Sequence, residues 1–90
     1  MLMVIKRSGK TEEYSPDKMI SSLSAACDEI GQPLNSGDLR VIIDDIGRIL
    51  EGKTAIRSFD LYAIVLGVLG AHGFNGVFNS YKKHSSNAWQ

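Results

Sequence analysis

The spacing of apolar residues changes several times along the chain, and each change marks a predicted element. Residues 3–14 hold two short segments, Met3-Val4-Ile5-Lys6-Arg7 and Lys10-Thr11-Glu12-Glu13-Tyr14, on either side of Ser8-Gly9. A Gly-containing two-residue connection between extended segments reads as a hairpin, because the primed turns need positive φ. Two strands alone are marginal, so the hairpin is expected to lean on the remaining chain. Ser15-Pro16-Asp17 then opens a helix. Ser15 can accept from a first-turn N–H, Pro16 loses nothing at the first helical position, and Asp17 complements the positive dipole end. Met19, Ile20, Leu23, Ala26, Cys27 and Ile30 fall on one stripe, which predicts a helix over 16–30. Gly31 ends it, with Pro33 just beyond.

A second helix is expected over 37–51, starting near Ser36 and Asp38, with Leu39, Ile42, Ile43, Ile46, Ile49 and Leu50 as its buried face. Asp44 and Arg48 stand four apart outside, the spacing of a helical ion pair. Gly52 is its stop, and Lys53–Arg57 reads as a third extended piece beside the hairpin. Ser58 and Asp60 repeat the cap pattern and open a helix over 59–70. That helix is apolar almost all round and is expected to be central. A last helix over 74–83 carries Phe74, Val77, Phe78 and Tyr81, and residues 84–90 form a polar tail. The order predicts one α+β domain over 1–90, a four-helix bundle capped by a small two- or three-stranded sheet.

Composition narrows the class. Ninety residues with 43% apolar content suit one globular domain. The longest apolar run, 61–71, contains Gly67 and Gly70 and falls short of the about 20 residues that cross a bilayer. Lys6 and Arg7 follow the apolar start instead of preceding it, the reverse of a signal peptide. Cys27 is the lone cysteine, which excludes an internal disulfide framework. A cytoplasmic protein with no membrane partner is expected.

The side chains carry little catalytic chemistry. His72 and His84 have no cysteine or carboxylate at ligand spacing, so no metal site is expected and both histidines read as surface residues near helix ends. Cys27 lies on the apolar stripe, where it acts as a small hydrophobe. No Gly-x-Ser-x-Gly elbow occurs, and Gly67, Gly70, Gly73 and Gly76 lack the strand–loop–helix setting of a dinucleotide site. The reading is a non-enzyme with no catalytic cofactor.

Charge is balanced in total, with 10 Lys plus Arg against 10 Asp plus Glu, which argues against a duplex-DNA binder. It is not balanced locally. Residues 28–51 hold six acids and two bases, whereas four bases and one acid follow from Lys53 onward. If the hairpin, the Lys53–Arg57 strand and Lys82-Lys83 converge, they make a basic pocket. The N-termini of the first and third helices would aim N–H groups into it, an arrangement suited to polyphosphate. Solvated lysines without a ligand are the alternative.

Val4-Ile5-Lys6-Arg7-Ser8-Gly9, then Glu12, Tyr14, Ser15 and Asp17-Lys18-Met19, closely resemble the signature of the ATP-cone. This is the allosteric nucleotide-binding domain of ribonucleotide reductases and of the zinc-ribbon repressor of reductase genes. The resemblance covers nearly all of the chain and is most specific in its first twenty residues. It implies a four-helix bundle capped by a small sheet, and ATP or dATP as effector, with or without magnesium. It also implies nucleotide-dependent association with a protein partner or with itself. The neutral net charge, not the resemblance, is what argues against a direct nucleic-acid partner.

By matching positions, the resemblance assigns Lys6, Arg7 and Lys18 to the phosphates, and Glu12 and the Ser15 backbone to the adenine amino group. Val4, Tyr14 and Met19 surround the base. Ser58 matches a phosphate-contacting threonine, Tyr62 a residue beside the sugar, and Lys82 or Lys83 a final phosphate ligand. Ser8 departs from the usual turn Asp, Ser15 from Asp or Asn, and Gly76 stands near the place of a typical last-helix arginine. Besides a regulatory ATP/dATP-binding module acting on a reductase-related partner, two alternatives follow. One is a degenerate cone that mediates protein interaction without nucleotide; the other is a small nucleic-acid-binding regulator. The chain is read as a stand-alone cone or a fragment of a longer protein.

Overall fold

The computed structural model describes residues 1–31 and 34–88, with side chains described as far as residue 83. Pro33 therefore lies outside the described residues, as does the side chain of His84. The elements run β1 (Met3–Ile5), β2 (Thr11–Glu13), α1 (Pro16–Glu29), α2 (Ser36–Leu50), β3 (Ala55–Arg57), α3 (Ser58–Ala71) and α4 (Asn75–Ala88). β1 is the middle strand of a three-stranded sheet ordered β2-β1-β3. Val4 stands opposite Glu12 of antiparallel β2 and opposite Ile56 of parallel β3. The α+β class and the sheet-capped four-helix architecture agree with the chain pattern, and the third strand is present.

The hairpin turns differently from expectation. Gly9 N–H donates to the Lys6 carbonyl at 2.9 Å, and Lys6 N–H donates to the Lys10 carbonyl at 2.8 Å. Gly9 has φ 90°, while no non-glycine residue has positive φ. Arg7 and Ser8 thus take the centre of an ordinary turn and Gly9 is the bulge residue that follows, a three-residue connection. A primed turn centred on Ser8-Gly9 would need positive φ at Ser8, which its Cβ resists.

Three helix starts are set by different means. The Ser15 hydroxyl accepts from Lys18 N–H at 3.3 Å, as expected for α1. α2 is capped by Asn35, whose side-chain oxygen accepts from Asp38 N–H at 2.8 Å, so Ser36 is already helical. α3 follows β3 without a connecting residue: Arg57 occupies the cap position without a side-chain bond, and Ser58 is the first helical residue, with its side chain buried. At the other end of α3, Phe74 N–H reaches the Leu69 carbonyl at 3.0 Å and Gly73 N–H reaches Gly70 at 3.1 Å. This closure needs the φ of 77° that Gly73 supplies. α4 continues past the expected end at Lys83 to Ala88, because neither Gly nor Pro stands in between to stop it.

The helices close a ring, α1 on α2, α2 on α3, α3 on α4, and α4 on α1. Leu23, Ile42, Ile46, Leu61, Val65, Leu69, Val77 and Tyr81 fill its centre together with Val4 and Ile56 from the sheet. α3 takes one place in this ring instead of the central one expected, and turns Phe59, Ala63, Gly67 and Gly70 outward. Its outer face reads as apolar because those positions are aromatic or small, not because they are buried. Ile30 and Ile49, expected on buried faces, are exposed. Ile30 lies beyond the last residue of α1, and Ile49 is about 100° round the helix from Leu50.

Polar pins join the ring. The buried Ser80 hydroxyl donates to the Ala26 carbonyl at 2.9 Å, tying α4 to α1. Tyr81 OH lies 3.8 Å from Met19 Sδ. Arg48 pairs with Asp45 at 2.9 Å instead of Asp44, and the same Asp45 carboxylate holds His72 at the end of α3. Cys27 is buried, and loss of solvent pushes its thiol pKa up, which suits a packing role.

Ile46 is 0% exposed and Ile49 is 47% exposed. Urea unfolding is expected to separate these neighbours: Ile46→Ala lowers stability by about 2–5 kcal/mol, and Ile49→Ala by under about 1 kcal/mol.

Candidate functional site

Strand periodicity decides which hairpin side chains meet the bundle. Side chains two apart share a face, and directly paired residues share a face across the ladder. Val4 packs inward; its partner Glu12 is therefore turned the same way, as are Lys6 and Tyr14 at the next alternate positions. Ile5 takes the opposite side, and Arg7 already belongs to the turn. α1 then brings Ser15, Lys18, Met19 and Ser22 to the same place, and α3 contributes Leu61. Tyr14 and Met19 sit immediately before the Ser15 cap and four residues after it, the positions of a hydrophobic staple.

These residues, with Glu13, enclose a cavity of about 140 Å³ between the hairpin, the start of α1 and the start of α3. Val4, Met19 and Leu61 are buried and make an apolar wall. At its rim the Glu12 carboxylate lies between two ammonium groups, 3.5 Å from Lys6 Nζ and 3.7 Å from Lys18 Nζ. Side-chain exposure is 33% for Lys6, 38% for Glu12 and 72% for Lys18. These are exchangeable surface pairs, each contributing about 0–1 kcal/mol.

Tyr14 is the anomaly of the site. Its hydroxyl oxygen is buried and has no hydrogen-bond partner among the described residues. Leaving such a group unsatisfied costs about 1–3 kcal/mol. Loss of solvent also pushes the phenol pKa up, so the group is a neutral hydroxyl. The ring borders a second, more open groove as well, formed with Pro16, Ile43, Asp44, Gly47, Arg48 and Glu51.

Of the residues picked from sequence, Val4, Lys6, Glu12, Tyr14, Ser15, Lys18 and Met19 line the cavity. Arg7, Ser58, Tyr62 and Lys82 do not. Arg7 is exposed in the turn. Ser58 is buried beneath the start of α3. Tyr62 stacks on Tyr81 with ring centroids 5.9 Å apart and donates to the Lys82 carbonyl at 3.1 Å. Glu13, Ser22 and Leu61 were missed. Ser22 is legible in principle, four residues from Lys18 on one helix face; Leu61 depends on how α3 docks and has no local signal.

The anticipated basic convergence is divided. Lys53 and Arg57 border a separate groove with Ile5, Ala55, Asp60 and Ile64 at the β3 edge. The start of α1 also offers little to an anion, since Pro16 has no N–H and Lys18 N–H is taken by Ser15 Oγ. Met19 N–H is likewise taken, by the Ser15 carbonyl. Among the described residues no group of three or more His, Cys, Asp or Glu side chains is placed to hold a metal ion, and no helix is long and apolar enough to cross a membrane.

Comparison with known proteins bears on the whole of this arrangement. The transcriptional repressor NrdR of Shouchella clausii is 39% identical over 67 residues, covering 72% of this chain and 43% of the repressor. The transcriptional repressor NrdR of Opitutus terrae is 36% identical over 50 residues, covering 56% of this chain and 32% of that protein. The chain thus spans less than half the length of either relative. The family model described as the ATP cone domain matches residues 2–85, from the strand that carries Val4 to the helix that carries Tyr81. With the match reaching across sheet and ring alike, the chain belongs to the ATP-cone family.

Proposed function

We propose that this chain is a regulatory module that takes ATP or dATP as effector and controls the association or activity of a protein connected with ribonucleotide reduction. The observation that carries the reading is the cavity itself: an apolar wall beside two ammonium groups, in a chain of the ATP-cone family. Val4, Met19 and the Tyr14 ring suit a purine, which is flat and largely apolar. Lys6 and Lys18 suit the polyphosphate, with magnesium as an optional companion. Glu12 suits an exocyclic amino group, which it would accept while its lysines turn to phosphate. Arg7, Ser58, Tyr62 and Lys82 are assigned by the resemblance alone. The family and the two repressor relatives support the role of a regulator, and the cytoplasm as its place is part of the proposal.

A second reading is a cone that mediates protein interaction without nucleotide. It is favoured by the local charge, because Glu12 and Glu13 at the rim offset Lys6 and Lys18. Both relatives are named transcriptional repressors. The expectation that nucleic acid is not a direct partner therefore has no support, and control of a DNA-bound repressor is a role open to this module in a longer protein.

Thermal melting with ATP, dATP and GTP, each with and without magnesium, separates the first two readings. A ligand at a hundred times its Kd adds about 2.7 kcal/mol to stability, so ATP or dATP is expected to raise the melting temperature by several degrees. An unchanged temperature at millimolar nucleotide would leave the interaction-only reading. In calorimetry, Lys6→Ala and Lys18→Ala are each expected to weaken ATP binding about tenfold, the loss of one charge-assisted phosphate contact.

A further inference from the structure

Three observations meet at Tyr14. Tyr14 borders both the cavity, of about 140 Å³, and the groove on α2, of about 470 Å³. Its hydroxyl is buried with no partner among the described residues. Across the groove stands Gly47, where a Cβ would meet nothing within 4 Å, flanked by the carboxylates of Asp44 and Glu51. Tyr14 thus holds a buried, unsatisfied hydroxyl while bordering a groove that also carries two acidic residues.

We infer that Tyr14 is a gate between the cavity and the α2 groove, swinging over Gly47 to enlarge the cavity for its ligand. In the closed position, the one described above, the ring narrows the cavity and leaves its hydroxyl without a bond. In the open position the hydroxyl donates to Asp44 or Glu51, and the space the ring leaves joins the cavity. The two costs oppose each other. Closure satisfies the apolar ring against Met19 and its neighbours and strands the hydroxyl; opening satisfies the hydroxyl and exposes the ring. Opposed costs of this kind keep two positions close in free energy, so a ligand that needs the larger cavity selects the open one. Burial keeps the phenol protonated, so it remains a donor in both positions.

This inference rests on the proposed nucleotide site for its ligand but not for the motion, and the test separates the two. Leu in place of Gly47 occupies the groove and favours the helix, and its Cβ meets nothing within 4 Å. Gly47→Leu is therefore expected to raise the Kd for ATP about tenfold, because the competent fraction falls, while the urea midpoint stays level or rises. In a Tyr14→Leu background, where no gate swings, the same Gly47→Leu change is expected to move the Kd less than twofold. An unchanged Kd in the parent background, or an equal change in both backgrounds, overturns the gate.

The motion is read without nucleotide by fluorine relaxation-dispersion NMR of the chain carrying 3-fluorotyrosine. The Tyr14 resonance is expected to show exchange that Gly47→Leu abolishes. A Tyr14 resonance free of exchange in the parent, or exchange that persists in Gly47→Leu, overturns the gate whatever ATP does. Failure of the parent chain to bind ATP would sink the nucleotide reading, with the fluorine result still deciding the gate.

Discussion

The parallel pairing of β1 with β3 is the constraint on which the other contacts depend. A hairpin of two three-residue strands is too small to stand alone. Its third strand arrives only after α1 and α2 have been laid down, so Val4 meets Ile56 across the 51 residues of intervening chain, 5–55. A parallel partner requires such a crossover, and here the crossover is half of the helical ring. Because α3 begins at the residue after β3, the same pairing fixes where α3 starts. It brings Leu61 beneath the hairpin as part of the apolar wall. The cavity is a by-product of closing the sheet.

That dependence explains which parts were legible in sequence. The Ser15-Pro16 start of α1 and the inward alternation of Val4, Lys6, Glu12 and Tyr14 are local, set by capping and by strand period. They were readable from neighbouring residues. The end of α4 was misread although it is local, since polar residues without Gly or Pro are compatible with helix as well as with a tail. Leu61 and the separation of Lys53 and Arg57 from the cavity depend on how distant elements dock. Arg7 falls beyond the last residue of β1, exposed at the centre of the turn, so adjacent bases in a motif are not adjacent in the site. Tyr62 was picked by motif position, and its bond to the Lys82 carbonyl gives it a structural task that no spacing announces.

The charge of the site follows from the same geometry. Pairing Val4 with Glu12 obliges the carboxylate to face the bundle, where it would be an isolated charge without Lys6 and Lys18 on either side. The lysines are therefore engaged before any anion arrives. At 3.5 and 3.7 Å their contacts are longer than the about 2.7–2.9 Å of a close charge-assisted hydrogen bond. They hold the side chains near the rim at small energetic cost to whatever displaces Glu12.

That cost also sorts anions. A singly charged anion replacing Glu12 exchanges one carboxylate-strength contact for another and gains little, whereas a polyphosphate presents several charges to the same two ammonium groups. Coulomb energy scales with the product of charges, so the net advantage over Glu12 grows with each added phosphate. Displaced Glu12 is not wasted if the incoming molecule also carries an N–H donor, since the carboxylate can then exchange one partner for another. A molecule with phosphates at one end and an amino-bearing apolar ring at the other would satisfy Glu12 and both lysines at once. Neither inorganic phosphate nor a free base does so, and under the proposed reading selectivity would arise because the carboxylate and the two lysines share a single rim.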